Sequence, residues 1–347
     1  MRAWLLNGIS DLNITNKPLQ QAEIPAPVPR SKEILIRVSC CGICHTELDE
    51  IEGRTAPPRY PVIPGHQIVG IIERCGTHAK RFKEADRVGV AWIFSACGTC
   101  EYCSAGMENL CEDFKATGRD NHGGYAEYIT VSEKFAYLIP PNFTDIEAAP
   151  LLCAGAIGYR SLQLAHLSNS QTLGLTGFGS SGHLVLKMAR YLFPDSKIFV
   201  FARKAEEQAF ALQLGASWAG EIIQSPPEKV NAIIDTTPAW SPVISSLLHL
   251  KPGGRLIINA IRKESRDQQA LLEIDYSNHL WMEKEIKSVA NITRTDVQEF
   301  LTLASSIPIK PVVETYPFED ANKALLDLKH QHAKGSKVLS CVLANKE

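Results

Sequence analysis

The stretch Thr-Leu-Gly-Leu-Thr-Gly-Phe-Gly-Ser-Ser-Gly, residues 172–182, is the clearest indication of fold in this sequence. Thr172–Thr176 is a short apolar run that predicts a buried strand, and a helix is predicted directly afterwards over Ser180–Leu192. A Gly-x-Gly-x-x-Gly loop between a strand and a helix lets the backbone approach a pyrophosphate at the helix N-terminus. The pattern therefore predicts a dinucleotide site, and a glycine-rich turn without a ligand is the alternative. The candidate cofactor-binding residues of this loop are Gly177, Gly179, Ser180, Ser181 and Gly182.

Strand and helix signals alternate downstream of this loop. The predicted elements are strands at Ile198–Phe201, Ala232–Asp235 and Arg255–Asn259, and helices at Ala205–Leu214 and Pro242–Leu250. Such alternation predicts a parallel sheet with helices on both faces. Residues 153–290 are therefore assigned to a doubly wound α/β dinucleotide-binding domain.

The residues upstream of this domain have a different pattern. Short strands are predicted between loops rich in Pro and Gly, and Glu33–Ser39 alternates as a half-buried strand does. After residue 291, two helices are followed by a last strand over Lys337–Leu343. We expect this tail to rejoin the first part, so that 1–152 and 291–347 form one β-rich domain.

Composition excludes several classes of protein. Apolar residues make up 45% of the 347 residues and charged residues 21%, which excludes a mainly disordered chain. The net charge is −2 and no long Lys/Arg block occurs, so no nucleic-acid partner is expected. Met1–Ser10 has no signal-peptide pattern, and no apolar run reaches the about 18 residues of a membrane span. The expected partner is a small molecule.

Ten cysteines are present, and four of them lie close together. The spacing Cys97-x2-Cys100-x2-Cys103-x7-Cys111 allows four thiolates to complete a tetrahedral zinc shell. A bacterial-type iron–sulfur site would place the fourth cysteine three residues after the third, and coincidence is the other alternative. Because protein fills all four positions, this zinc is predicted to be structural. Thiolate ligands also imply a reducing compartment, so we expect the cytoplasm.

A second candidate metal site comprises Cys44, His66 and Cys153. Spacing alone does not join these three residues, and a buried thiol or a hydrogen-bonded histidine explains each of them singly. Two thiolates and a neutral imidazole nevertheless balance the charge of Zn²⁺ and leave a fourth position open, as in catalytic zinc sites of this composition.

Together these features resemble the zinc-dependent alcohol dehydrogenases of the medium-chain dehydrogenase/reductase family. The motifs that carry the resemblance through nearly the whole chain are Gly42-Ile43-Cys44-His45-Thr46, Pro64-Gly65-His66, Asp86-Arg87-Val88, the four cysteines, Gly123–Tyr128, Leu152–Gly155 and the glycine loop. The resemblance implies a GroES-like β-rich catalytic domain and a Rossmann domain, with the active site in the cleft between them. A homodimer or homotetramer is expected, and the two cysteine-containing sites predict two zinc ions per chain.

The resemblance implies roles for single residues. Cys44, His66 and Cys153 match the catalytic zinc ligands, and Thr46 matches the hydroxyl that takes the substrate proton. The other matched positions are Trp92 and Ile261, which shape the alcohol pocket, and His45, which reaches the cofactor pyrophosphate.

Four positions depart from the family pattern. Gln67 replaces the usual Glu after the ligand histidine, and Glu47 replaces the Asp that bonds to that histidine. Ile157 removes a hydroxyl near the nicotinamide. Asp49 stands where a proton-relay His is common, so Asp49 or bulk water is expected to accept the proton.

The predicted function is therefore reversible hydride transfer between an alcohol and NAD(P)⁺. One alternative is a quinone or alkene reductase of the same fold that needs no zinc, which the retained trio of ligands disfavours. The other is a nucleotide-binding protein that has lost catalysis, which Gln67, Glu47 and Asp49 keep open.

Cofactor choice is predicted from the residues about 20 positions after the glycine loop. NAD enzymes have an acidic residue there, which binds the ribose 2′-hydroxyl. Here Ala202 is followed by Arg203 and Lys204. Because a guanidinium can bind a 2′-phosphate in bidentate fashion, NADP(H) is expected in preference to NAD(H). The alternative is that Arg203 is a solvated residue at the start of a helix and both cofactors are accepted.

Overall fold

The computed structural model describes residues 1–330 and 335–341. The end of the strand predicted at Lys337–Leu343 lies outside the described residues. The chain divides into two compact units. The first contains Met1–Cys153, Ile292–Ser306 and the described residues from Lys310 onward, and the second contains Ala154–Asn291 with Ile307–Ile309. Within the described part of the chain, no helix combines the length and the apolar character that crossing a bilayer requires.

The elements are numbered in chain order. The strands are β1 (Arg2–Leu5), β2 (Gln20–Glu23), β3 (Glu33–Ile43), β4 (Gln67–Cys75), β5 (Arg87–Val90), β6 (Ile93–Ser95), β7 (Lys115–Ala116), β8 (Tyr128–Ser132), β9 (Ala136–Leu138), β10 (Leu173–Thr176), β11 (Ile198–Phe201), β12 (Trp218–Gly220), β13 (Val230–Asp235), β14 (Leu250–Ile258), β15 (Glu285–Ser288), β16 (Val313–Pro317) and β17 (Ser336–Ser340). The helices are α1 (His45–Ile51), α2 (Glu101–Ser104), α3 (Asp145–Ala148), α4 (Ala154–Ala165), α5 (Ser180–Leu192), α6 (Ala205–Gln213), α7 (Ser241–His249), α8 (Arg294–Ser306) and α9 (Ala321–His330).

The second unit is built on a six-stranded sheet in the order β12-β11-β10-β13-β14-β15, and all its pairs are parallel. This confirms the predicted doubly wound α/β architecture. The chain leaves β10 toward β11 and β12 and later returns to β13 on the other side of β10, so the order reverses between β10 and β13. Ligands of such sheets bind outside the carboxyl ends of the strands at this reversal. β14 begins five residues earlier than predicted, because Leu250 already pairs with Val230.

The first unit is built on a mostly antiparallel sheet in the order β16-β17-β3-β4-β5-β9, with β8 paired to β3. This sheet forms the β-rich GroES-like fold. The prediction of a half-buried strand at Glu33–Ser39 was wrong in part. Leu35 is buried together with Ile34 and Ile36, because α3 and the turn Ala149–Leu152 pack against the sheet.

Candidate metal centres and nucleotide loop

The pairing of β3 with β4 brings the first two candidate ligands together. Cys44 follows the last residue of β3 and caps α1, where its Sγ accepts the Thr46 backbone N–H at 3.4 Å. His66 directly precedes β4, whose first residue Gln67 is the register partner of Gly42. The antiparallel register therefore places His66 beside Cys44, although 22 residues separate them in the chain.

Cys153 completes the cluster from the turn that ends at Leu152. His66 Nε2 lies 3.6 Å from Cys44 Sγ and 3.3 Å from Cys153 Sγ, and the three donor atoms all lie within 4.8 Å of one another. A tetrahedral zinc ion with usual bond lengths would place nitrogen and sulfur ligands about 3.6 Å apart. The separations and the donor chemistry therefore fit one zinc ion with a fourth position left for substrate.

Glu47 fixes the orientation of the His66 ring. Its Oε1 lies 2.6 Å from His66 Nδ1, and the two side chains are 0% and 1% exposed. Its Oε2 accepts the Cys44 backbone N–H at 2.8 Å. The longer arm of Glu47, relative to the family's Asp, therefore reaches His66. When Nδ1–H donates to this carboxylate, the lone pair of Nε2 faces the two sulfur atoms.

A second carboxyl, Glu50, is buried close to this cluster. It is 1% exposed, and neither oxygen has a hydrogen-bond partner among the described residues. Burial, followed by repulsion from Glu47, raises the pKa of Glu50 well above its usual range. A divalent cation nearby would offset this concentration of acidic groups. Glu50 was not predicted, although its spacing of three from Glu47 puts both on one face of α1.

The other predicted residues of α1 lie around Cys44. Thr46 is partly buried and His45 is exposed at the start of the helix. Asp49 is 4% exposed, and Arg54 Nε binds its Oδ1 at 2.6 Å. Arg54 was also missed, because nothing in the local pattern pairs it with Asp49.

Trp92 lies in the same unit and is 8% exposed. Its ring lies 5.0 Å from that of Phe114 and under the Arg119 guanidinium, at 5.6 Å from the ring centroid. Its Nε1 has no hydrogen-bond partner among the described residues. The side chain is thus held by two neighbours and keeps a donor that a ligand could use.

The four-cysteine lobe gathers its sulfur atoms within 4.8 Å of one another. Cys97 Sγ lies 3.9 Å from Cys103 Sγ and accepts the backbone N–H groups of Thr99 and Cys100. These N–H groups lower the pKa of Cys97 to about 6. Sulfur ligands of a tetrahedral zinc ion lie about 3.8 Å apart, so the lobe fits a zinc ion enclosed by Cys97, Cys100, Cys103 and Cys111.

The glycine loop joins β10 to α5 in the second unit. Gly177 has a φ of 81°, and a Cβ there would lie 2.8 Å from Thr236 Oγ1, so only glycine fits. A Cβ on Gly182 would lie 2.8 Å from the Gly177 carbonyl oxygen, whereas one on Gly179 would meet nothing within 4 Å. The loop is therefore tightly packed at both ends and has room for a ligand at Gly179, where α5 starts with Ser180 and Ser181.

The residues after β11 are arranged differently. Ala202 is buried and its carbonyl accepts a hydrogen bond from Gln208 Nε2 at 2.8 Å, while Arg203 is exposed and Lys204 occupies the N-cap position of α6. Both cations thus stand at the carboxyl end of a strand next to β10. Ile261, also in this unit, is 45% exposed.

Comparisons with known proteins give a consistent result. Residues 30–141 match the model of the alcohol dehydrogenase GroES-like domain, and residues 210–339 match that of the zinc-binding dehydrogenases. A Mycobacterium tuberculosis protein named "Probable alcohol dehydrogenase AdhA" is 38% identical, with 98% of this chain and 97% of that protein covered. An alcohol dehydrogenase of Geobacillus stearothermophilus is 32% identical, with 88% and 91% covered.

The chain is also similar to a solved alcohol dehydrogenase structure. The cinnamyl alcohol dehydrogenase of Sorghum bicolor superimposes with a TM-score of 0.83 at 26% identity, covering 98% of this chain and 97% of that one. The likeness extends over both units.

Proposed function

This chain belongs to the zinc-dependent alcohol dehydrogenases of the medium-chain dehydrogenase/reductase family, and we propose that it interconverts alcohols with aldehydes or ketones, preferring NADP(H). The observation that carries the proposal is the convergence of Cys44 Sγ, His66 Nε2 and Cys153 Sγ within 4.8 Å. A zinc ion held by these three residues would have one position left for the substrate oxygen.

The chain's own residues have distinct tasks in this proposal. A zinc ion held by Cys44, His66 and Cys153 would supply Lewis-acid polarisation of the substrate oxygen, and the nicotinamide would supply hydride exchange. The Thr46 hydroxyl takes the substrate proton; Thr46 lies two residues after Cys44, and its backbone N–H donates to Cys44 Sγ at 3.4 Å. Glu47 holds the His66 ring in the ligating tautomer through the 2.6 Å contact.

Asp49 or bulk water accepts the proton from Thr46 in this scheme. Arg54 binds the Asp49 carboxylate at 2.6 Å, which keeps it in a fixed position. Trp92 forms part of the alcohol pocket, and its packing between Phe114 and Arg119 keeps the indole in one orientation.

A second zinc ion is proposed for Cys97, Cys100, Cys103 and Cys111, with a purely structural role. The observation in support is that all four positions of the shell are thiols, as in closed structural sites.

The preference for NADP(H) rests on Arg203 and Lys204. In the proposal Gly177, Gly179 and Gly182 at the start of α5 would hold the pyrophosphate. The adenosine 2′-phosphate then meets the Arg203 guanidinium.

We also propose a reducing, cytoplasmic location and a homodimer or homotetramer. All the cysteines are free thiols, which suits a reducing compartment. β15 is one of the two edge strands of the six-stranded sheet, and each of its residues is exposed, which leaves a strand edge for a second copy to pair with.

The test is turnover of a panel of primary alcohols with NADP⁺ and NAD⁺, combined with metal analysis of the same sample. Alcohol oxidation that requires zinc and is faster with NADP⁺ supports the proposal. Reduction of quinones or activated alkenes by the zinc-free protein would favour the reductase alternative. Nucleotide binding without turnover of either class would favour a protein that has lost catalysis.

A further inference from the structure

Lys263 follows β14 in the second unit, and its charged end is buried. The side chains of Lys263 and Asp235 are 7% and 0% exposed and form an ion pair. Lys263 Nζ also donates to the carbonyl oxygens of Thr237 at 2.7 Å and Ala239 at 3.1 Å. The ammonium group can donate three hydrogen bonds, and all three acceptors lie in one short loop, residues 235–239.

This arrangement fixes the loop more than it stabilises the fold. A buried ion pair gains little net stability, because both ions lose their hydration. Asp235 Oδ1 accepts the Thr237 hydroxyl at 2.8 Å, so the carboxylate holds the loop from its other oxygen. Loop 235–239 is therefore held at Asp235, Thr237 and Ala239 by one buried cation and its counter-ion.

The loop lies where the strand order of the sheet reverses. It follows β13, whose neighbour β10 leads into the glycine loop. The Thr236 backbone N–H and hydroxyl donate to the Thr176 carbonyl at 2.9 and 3.0 Å. Thr236 also leaves no room for a side chain at Gly177. Any displacement of loop 235–239 would therefore disturb the glycine loop directly.

We propose that Lys263 is a positioning residue for the dinucleotide. Its ion pair with Asp235 holds loop 235–239, and through Thr236 the glycine loop, in the conformation that the bound nucleotide requires. The inference rests on the proposed function, since it presumes a nicotinamide dinucleotide in this unit. Preorganisation lowers the ordering cost of binding, so it acts on affinity more than on the hydride step.

The test compares NADPH binding by Lys263→Met and Lys284→Met. NADPH is titrated into the zinc-loaded enzyme, and its fluorescence reports the bound fraction. Lys284 is a matched control, because its Nζ also donates to two carbonyl oxygens of this unit, those of Leu247 and Asn278, at 2.7 and 2.8 Å. We expect Lys263→Met to weaken NADPH binding about tenfold, with kcat at saturating NADPH within about twofold of wild type. Lys284→Met should bind as wild type does, and Lys263→Arg should recover most of the affinity.

Equal NADPH affinity in wild type and Lys263→Met would overturn this inference and leave the proposed function intact. An equal loss of affinity in Lys284→Met would also overturn it, since that result indicates general loosening of the unit. Should Lys263→Met fail to fold, Asp235→Asn carries the same prediction with a side chain of the same shape. A wild-type enzyme that binds neither NADPH nor NADH would overturn the proposed function, and this inference with it.

Discussion

At the scale of single residues, the Glu47 carboxyl joins two parts of the metal centre. One oxygen caps the start of α1 at Cys44, and the other contacts the ring of His66. Because the same side chain orients both ligands, the helix start and the imidazole cannot move independently. The substitution of Glu for the family's Asp is therefore compatible with a formed metal centre.

The proton path gives the first prediction at this scale. Thr46→Val removes the hydroxyl and should lower turnover about 10²–10⁴-fold, the usual contribution of general acid–base assistance. Asp49→Asn should have a far smaller effect, because bulk water can replace Asp49 as acceptor. Steady-state alcohol oxidation by the two variants checks this, and equal turnover of wild type and Thr46→Val would contradict it.

Cofactor choice gives the second prediction. Arg203→Ala removes the guanidinium proposed to bind the 2′-phosphate, so it should shift the ratio of kcat/KM for NADPH over NADH toward NADH. A lost charge-assisted contact of this kind is worth roughly 1.5–3 kcal/mol, or about 10- to 150-fold in the ratio. The assignment of NADP(H) preference to Arg203 is wrong if the wild type prefers NADH, or if the ratio is the same in wild type and Arg203→Ala.

At the scale of elements, α5 couples the glycine loop to a buried histidine. His183 is 0% exposed, its Nδ1 lies 3.1 Å from the Gly179 carbonyl oxygen, and burial lowers its pKa to about 4. In the unfolded chain a histidine binds its proton near pH 6.5. Between about pH 6.5 and 4 the unfolded state therefore holds more protons, and stability falls as the pH falls.

The prediction is a pH-dependent difference between wild type and His183→Leu. From pH 7 to pH 4 the wild type should lose roughly 3 kcal/mol of unfolding free energy through His183 alone. The His183→Leu variant should not show this part of the loss. Urea unfolding at several pH values measures it. His78→Gln, at an exposed histidine, should behave as wild type. Parallel pH profiles for wild type and His183→Leu would refute the assignment.

The four-cysteine lobe makes the second prediction at this scale. It is tied to the start of α8, because Arg294 Nε binds the buried Glu108 carboxylate at 2.6 Å. Cys100→Ser should lose the structural zinc and lower the yield or melting temperature of the folded protein. Melting curves and metal content test this; a variant as stable as wild type that has lost one zinc per chain would show that the lobe does not need its metal.

At the scale of the molecule, the three thiol and imidazole donors lie in one unit and the glycine loop in the other. The α/β sheet and α5 could be predicted from the sequence, because the glycine spacing and the apolar periodicity are local signals. The meeting of His66 with Cys44 could not, because it depends on the register of β3 and β4. Their donor chemistry and the resemblance, and not their spacing, suggested that these residues form one site.

Other features were beyond prediction for a similar reason. Glu50 is recognisable as buried only once α1 is packed, and the pairing of Asp235 with Lys263 joins residues 28 positions apart on two loops. Neither spacing nor composition marks such pairs. The roles of Thr46, Asp49 and Trp92, the domain bounds and the cofactor preference stay predictions.

The most direct test of the central claim is the zinc content of the active enzyme, measured with alcohol oxidation on wild type and Cys153→Ser. We expect two zinc ions per chain in the wild type. We expect one in Cys153→Ser, which should lose turnover and keep nearly the same melting temperature. A fully active wild-type chain with one zinc ion or fewer, or an active Cys153→Ser, would contradict the assignment of a catalytic and a structural zinc site.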